Sequence, residues 1–116
     1  EEGTWTPTNG GGTVTVTNVH SRYTKIGRQV SIGCYCNLSA DGDGTQIAIG
    51  GLPFAVVPTG YASSILQAGD SNGKALVARV EQNSSIIYLY NAISQGQINE
   101  DEVEGSHLIF QITYNV

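Results

Sequence analysis

The stretch Val-Ser-Ile-Gly-Cys-Tyr-Cys-Asn-Leu, at residues 30–38, has the clearest two-residue alternation in the first half of the chain. Successive side chains of a β-strand point to opposite faces, so one face carries only aliphatic and thiol side chains. The other face carries polar residues together with Gly33 and Tyr35. We therefore expect a strand with one buried and one exposed face, and the segments on either side of it as its partners.

The composition favours strands along the whole chain. Charged residues make up 13% of the 116 residues, compared with about 25% in an average globular protein, and Gly, Ser, Thr and Asn take their place. β-branched residues are plentiful, and these are typical of strands. We expect a single all-β domain spanning residues 1–116, an antiparallel β-sandwich of the jelly-roll type with about eight strands.

The remaining strands and turns follow from the same patterns. Besides the central strand, strands are predicted at 13–19, 23–26, 45–50, 61–68, 74–82, 85–93 and 107–116. The segment 85–93 is apolar on both faces, which favours a central strand or one covered by a neighbouring subunit. We predict a flexible turn at 9–12, a plain hairpin loop at 40–44 and a tight Asn-Gly hairpin turn at 70–73. The acidic segment 96–105 is predicted as a solvated loop, with a cation site or a charged rim as the alternative.

Charge and hydropathy exclude several partners. The net charge of −5 argues against nucleic acid, and no apolar run approaches the about 20 residues of a membrane span, so we expect no membrane insertion. The basic cluster of Arg22, Lys25 and Arg28 is interpreted as solvated residues that protect a strand edge. Cys34 and Cys36 lie two apart on one strand face, a poor geometry for a disulfide, and are predicted to be small buried residues. We expect no metal and no cofactor.

Candidate site residues are aromatic. The sequence has no nucleophile elbow, no phosphate-binding glycine loop and no zinc-binding helix motif, so we predict a non-catalytic module. Six tyrosines in a chain with few charges offer flat surfaces for stacking on sugar rings. Tyr35, Tyr88 and Tyr90 are the candidate ligand-binding residues. The alternative is that these rings pack in the core or between subunits.

Four segments resemble a known family. They are Gly-Thr-Trp-Thr-Pro at 3–7, Tyr-Thr-Lys-Ile-Gly-Arg-Gln-Val at 23–30, Gly-Leu-Pro-Phe at 51–54 and Ile-Thr-Tyr at 112–114. In this order and spacing they resemble the C-terminal domain that recurs in bacteriophage tailspikes and tail fibres. The resemblance implies a β-sandwich at the distal tip of a homotrimeric, extracellular fibre of the virion. It also implies a role in holding the trimer together and, in some members, in binding host polysaccharide or lipopolysaccharide; it implies no catalytic residues.

Other observations agree with a terminal, self-associating module. The chain contains no Met and its last strand pattern runs to Val116, so we expect it to be the end of a longer polypeptide. We expect a homotrimer in which the strand at 85–93 or 107–116 faces the three-fold axis. A purely structural trimerisation or capping domain is the alternative to a carbohydrate-binding one. A third alternative is a lectin-like domain, in which the triplets at 37–39 and 83–85 would be glycosylation sites.

Overall fold

The fold is all-β, as the sequence predicts. The computed structural model describes residues 1–58, 60–68 and 75–116. Within these residues there are nine strands and one short 3-10 turn, Glu100–Glu102. The strands are β1 (Glu2–Thr4), β2 (Thr8–Asn9), β3 (Thr15–Ile26), β4 (Gln29–Ser39), β5 (Ala48–Gly50), β6 (Ala62–Ala68), β7 (Leu76–Val80), β8 (Ile87–Asn91) and β9 (His107–Asn115).

The strands form two antiparallel sheets. One has four strands in the order β1-β3-β4-β9, and the other has five in the order β6-β7-β8-β5-β2. The end of β6 also pairs with β9, so that strand joins the two sheets on one side. On the other side, the chain passes directly from β1 at the edge of one sheet to β2 at the edge of the other.

The central strand β4 confirms the predicted alternation. Its inward residues are buried and belong to one hydrophobic core: Val30, Ile32, Cys34, Cys36 and Leu38. The last strand, β9, behaves in the same way, with Leu108, Phe110, Ile112 and Tyr114 buried. From the five-stranded sheet, Leu76, Ala78, Val80, Ile87 and Leu89 complete the other side of the core. Both sheets therefore bury one face in a common interior.

The two strands predicted at 13–19 and 23–26 are one strand. β3 runs for 12 residues, and its pairing with β4 is interrupted between Asn18 and His20. Val14 and Val16 point inward before this bulge, whereas Ser21 and Tyr23 are the covered residues after it. A bulge places one extra residue in one strand, here Val19, and shifts the alternation by one. The sequence pattern breaks at this shift, although the backbone continues.

The segment 40–44 is not a plain hairpin loop. It connects β4 of the four-stranded sheet to β5 of the five-stranded sheet, so it crosses between sheets. The Asp43 carboxylate accepts hydrogen bonds from the backbone N–H of Thr45 at 3.0 Å and from its hydroxyl at 2.5 Å. These bonds lower the pKa of Asp43. The hairpin turn predicted at 70–73 lies outside the described residues; β6 and β7, on either side of it, are antiparallel partners.

The acidic segment 96–105 is not simply a solvated loop. Ile98 and Val103 are buried in the core, and Glu100 is fully buried. The Glu100 carboxylate accepts hydrogen bonds from the backbone N–H groups of Thr13 at 2.8 Å and Val14 at 3.1 Å. Burial of this charge is compensated because the carboxylate is paired with oriented N–H donors.

The predicted flexible turn at 9–12 is held by the same carboxylate. The Asn9 side-chain amide donates to Glu100 Oε2 at 3.0 Å, and its carbonyl oxygen accepts from the backbone N–H groups of Gly11 and Gly12. A Cβ on Gly12 would lie 2.1 Å from Cδ of Glu100, so only glycine fits there. The turn is therefore an ordered, hydrogen-bonded structure rather than a flexible one.

Two further features concern the interior. Cys34 and Cys36 are free, buried thiols, and the hydrogen bond with Cys34, together with burial, raises the pKa of Cys36. Trp5 is buried, and its indole Nε1 donates to the backbone carbonyl of Gly33 at 3.1 Å. Among the described residues, no helix is long and apolar enough to cross a membrane.

Candidate functional site

Tyr35 lies on the outer face of the four-stranded sheet. It is 37% exposed and stands opposite His20 of β3 and Ile109 of β9 in the strand register. The ring of His107 lies beside it, with 6.0 Å between ring centroids and an interplanar angle of 45°. Both histidines of the chain therefore flank the one candidate tyrosine on this face.

A groove runs along the same outer face from Tyr35. Its floor is Gly33, whose register partners are Arg22 on β3 and Gln111 on β9. Because Gly33 has no side chain, a depression remains between the two longer neighbours. We call this depression the Gly33 groove, lined by His20, Arg22, Ser31, Gly33, Tyr35 and Gln111.

The Gly33 groove has two connected parts. The part at the Tyr35 end has a volume of about 310 Å³, and the part at the Ser31 end has a volume of about 270 Å³. Arg22, Gly33 and Gln111 line both parts. From Tyr35 to Ser31 the strand advances by roughly 13 Å, at about 3.3 Å per residue. The groove is therefore longer than a single sugar ring.

The floor of the groove is open above and supported from the core. A Cβ built on Gly33 would meet only Cγ of Gln111, at 4.0 Å, so the floor has space for a larger side chain. The buried Trp5 holds the carbonyl of Gly33 from the N-terminal segment. The position of the floor is thus fixed by a contact 28 residues away in sequence.

The walls of the groove carry hydrogen-bonding groups. Arg22 Nε donates to Nε2 of His20 at 3.0 Å. The N–H groups on its two Nη atoms take no part in this hydrogen bond. The hydroxyls of Ser31 and Thr113 are 2.9 Å apart and share one hydrogen bond. Donors and acceptors therefore line the groove beside the Tyr35 ring. Sequence reasoning did not select Arg22 or Gln111, although the outward phase of their strands places both on this face.

Tyr88 and Tyr90 lie elsewhere, on the outer face of the five-stranded sheet. The hydroxyl of Tyr90 accepts from Arg79 Nη2 at 2.6 Å and donates to Oε1 of Glu81 at 3.3 Å. The guanidinium also covers the ring, at 3.9 Å from its centroid. The structure therefore does not bring Tyr88 and Tyr90 together with Tyr35, and Tyr90 already has partners on its ring and its hydroxyl.

Arg79 is held as a charged residue in this second cluster. Its Nη2 lies 2.5 Å from Oε1 of Glu81. Partial burial alone would lower the Arg79 pKa, but the hydrogen bonds and charges of Glu81 and Tyr90 outweigh it and raise the pKa. A shallow depression of about 300 Å³ lies beside the cluster, between Ser63 and Gln95. The charge of Arg79 is neutralised within the chain.

The acidic residues that the structure describes do not build a metal site. Within residues 1–58, 60–68 and 75–116, no group of three or more His, Cys, Asp or Glu side chains could hold a metal ion. Glu100 instead binds backbone N–H groups, and the Glu102 carboxylate accepts from the N–H of Asn99 at 2.7 Å. Glu100 therefore has a structural role in the acidic loop.

Comparison with known proteins returned no relative. No family model, no curated protein and no solved structure matches this chain. The functional interpretation therefore depends on the groove and on the sequence segments.

Proposed function

We propose that this chain is a non-catalytic carbohydrate-binding domain and that the Gly33 groove receives the glycan. The observation that carries the proposal is the line of Tyr35, Gly33 and Ser31 along β4, with Arg22 and Gln111 on either side. Sugars present apolar C–H faces together with hydroxyl groups. An exposed aromatic ring next to amide, hydroxyl and guanidinium groups matches both features.

In this proposal the domain forms the distal tip of a bacteriophage tail fibre or tailspike. It would be extracellular, on the virion, and would recognise polysaccharide or lipopolysaccharide on the host surface. The support is the order of the four segments that resemble that family. Three of them meet in space: Tyr23 packs edge-to-face on Phe54 with 5.4 Å between centroids, and the Tyr114 hydroxyl donates to the carbonyl of Phe54 at 2.9 Å. These residues pack at the core, so their contacts support the proposed fold and not the proposed ligand.

We further propose a jelly-roll-like sandwich that assembles as a homotrimer. Of the two strands considered for the three-fold axis, β8 is the better candidate because the outer face of β9 forms one wall of the groove. On β8, Tyr88 and Tyr90 are half-buried on the outer face, and Ile93, just beyond it, is 85% exposed. Exposed apolar surface of this kind is usually covered in closed symmetric assemblies.

The glycan proposal is tested by filling the groove. Gly33→Val places a side chain on the open floor, and valine is favoured in strands, so the fold is retained. Titration with host polysaccharide should give an affinity about tenfold lower for this variant, because a bulky residue excludes the ligand. Thr15→Val, on the same outer face at the first residue of β3, is the matched control and should bind normally. Equal binding by Gly33→Val and wild type would place any glycan outside this groove.

The assembly proposal has its own test. Light scattering at micromolar concentration should give a trimer, and Ile93→Asp should shift it toward monomer. Ile26, 74% exposed at the end of β3, provides the control Ile26→Asp, which should remain trimeric. A wild-type chain that stays monomeric would contradict the proposed trimer.

A structural trimerisation or capping domain without ligand is the second candidate. The exposed Ile93 just beyond β8 favours it, because apolar surface there would serve assembly whether or not a sugar binds. Under this alternative, deletion of residues 1–116 from a longer fibre should abolish its assembly. Intact trimers that bind no glycan would favour this candidate over the first.

A further inference from the structure

Arg22 differs from the other arginines of the chain in its surroundings. Arg79 has a carboxylate partner in Glu81, and Arg28 Nε donates to the backbone carbonyl of Val116 at 2.9 Å. In the part of the chain that the structure describes, no carboxylate forms an ion pair with Arg22. Its one hydrogen bond is through Nε, to His20. The groove therefore contains a guanidinium whose charge is not neutralised by a carboxylate.

The free side of this guanidinium has a definite geometry. His20 occupies the Nε side, so the end formed by Nη1 and Nη2 remains available. A guanidinium binds a carboxylate through two parallel N–H···O bonds, and the end with both Nη atoms can form such a pair. Gln111, across Gly33, can add an amide donor on the other wall.

The aromatic ring lies at a suitable distance from this charge. Gly33, the register partner of Arg22, and Tyr35 are two residues apart on β4, which corresponds to roughly 6.6 Å along a strand. A sugar ring on Tyr35 could therefore place a carboxylate of the same or the adjoining residue near Arg22. We infer that the Gly33 groove takes an acidic saccharide, with a uronic or sialic acid carboxylate on Arg22 and a sugar ring on Tyr35. This inference rests on the proposed carbohydrate-binding function.

Because the chain has a net negative charge, a preference for acidic sugars would report on the local contacts of Arg22. The net charge is −5, so an acidic polysaccharide gains no general electrostatic attraction. Binding would have to depend on local contacts at Arg22. Glu2, on β1, shares a neighbouring depression with Arg22 at the sheet edge without pairing with it. Its negative charge opposes an acidic ligand, so Glu2→Gln should strengthen binding.

The test compares matched pairs of sugars. Oligomers of galacturonate, glucuronate and sialic acid are titrated against the full chain alongside their carboxyl-reduced, neutral forms. We expect at least one acidic oligomer to bind about tenfold or more tightly than its neutral form. Arg22→Gln should remove this preference, so that the acidic and neutral forms bind with similar affinities. Arg28→Gln, with the same change in net charge, should keep it.

The outcomes separate this inference from the proposed function. Equal affinity for acidic and neutral forms, or a preference that survives Arg22→Gln, overturns the acidic-saccharide assignment while carbohydrate binding stands. A folded chain that binds none of the acidic oligomers also overturns the acidic-saccharide assignment, whereas carbohydrate binding itself is decided by the titration with host polysaccharide. Arg22→Lys gives a further check, because a point charge without the planar fork should recover only part of the preference.

Discussion

The Glu100 carboxylate accepts a hydrogen bond from the backbone N–H of Thr13 at 2.8 Å, although 87 residues separate them. The same carboxylate binds Val14 and the side chain of Asn9. The segment after β2 and the loop before β9 are thereby held together. This contact orders one end of the two sheets.

Glu100→Ala should lower the free energy of unfolding by about 3–5 kcal/mol. The Asn9 side chain and the backbone N–H groups of Thr13 and Val14 would all lose their charged acceptor near the core. Urea unfolding measures the change. Asp101→Ala, at an exposed neighbour, should change stability by less than about 0.5 kcal/mol. Similar losses in both variants would show that Glu100 has no special structural role.

Gly42→Ala should destabilise the protein by about 1–3 kcal/mol or more, as overpacking does. A Cβ at Gly42 would lie 2.6 Å from the backbone carbonyl carbon of Glu100, which cannot move independently of the chain. Gly44, in the same loop, has no atom within 4 Å of its Cβ position, so Gly44→Ala is the control. Thermal unfolding of the two variants should differ clearly, and equal Tm values would contradict the close approach.

Trp5→Phe should reduce stability by about 1–2 kcal/mol. The ring remains apolar, but the hydrogen bond from Nε1 to the carbonyl of Gly33 is lost and a smaller ring fills the site. Because Trp5 is the only tryptophan, its fluorescence in the wild-type chain reports directly on this site. Urea unfolding followed by circular dichroism measures both proteins. A variant as stable as wild type would mean that this hydrogen bond contributes little.

Tyr114 should make stability fall at high pH. Burial raises its pKa to about 12. An unfolded tyrosine ionises near pH 10, so between about pH 10 and 12 the unfolded chain releases a proton that the folded chain retains. Stability is then lost as pH rises, by up to about 2 kcal/mol, and is unaffected by Tyr114 below this window.

Comparison of wild type with Tyr114→Phe isolates this contribution. The difference in their free energies of unfolding should depend on pH only in that window. Tyr61→Phe, at a 64% exposed tyrosine, is the control and should follow wild type. Parallel pH profiles for wild type and Tyr114→Phe would contradict the raised pKa.

Tyr35→Ala should weaken glycan binding by about tenfold, because the proposed stacking surface is removed. Tyr61→Ala removes an exposed ring outside the groove and should leave the affinity unchanged. Isothermal titration with host polysaccharide measures both. If Tyr35→Ala binds as wild type does, the ligand does not stack on Tyr35.

The candidate site was only partly predictable. Tyr35 was selected because it is an aromatic residue on the polar face of an alternating strand, and it does lie on an outer face. The sequence predicts Tyr88 and Tyr90 as candidates because they lie two apart on one face of a strand, but the pattern along a strand does not show which sheet that strand joins. Arg79 and Glu81, which engage Tyr90, are close to it only through the pairing of β7 with β8.

The sequence by itself determined the strand content and the buried faces of β4 and β9, because alternation along a strand is a local property. It also determined that Cys34 and Cys36 share the buried face. Only the tertiary structure decided that β3 continues through a bulge, that Glu100 is buried beneath a distant turn, and that Arg22 and Gln111 border Gly33. Each depends on which strands and loops become neighbours, and that is set by packing between residues far apart in the chain.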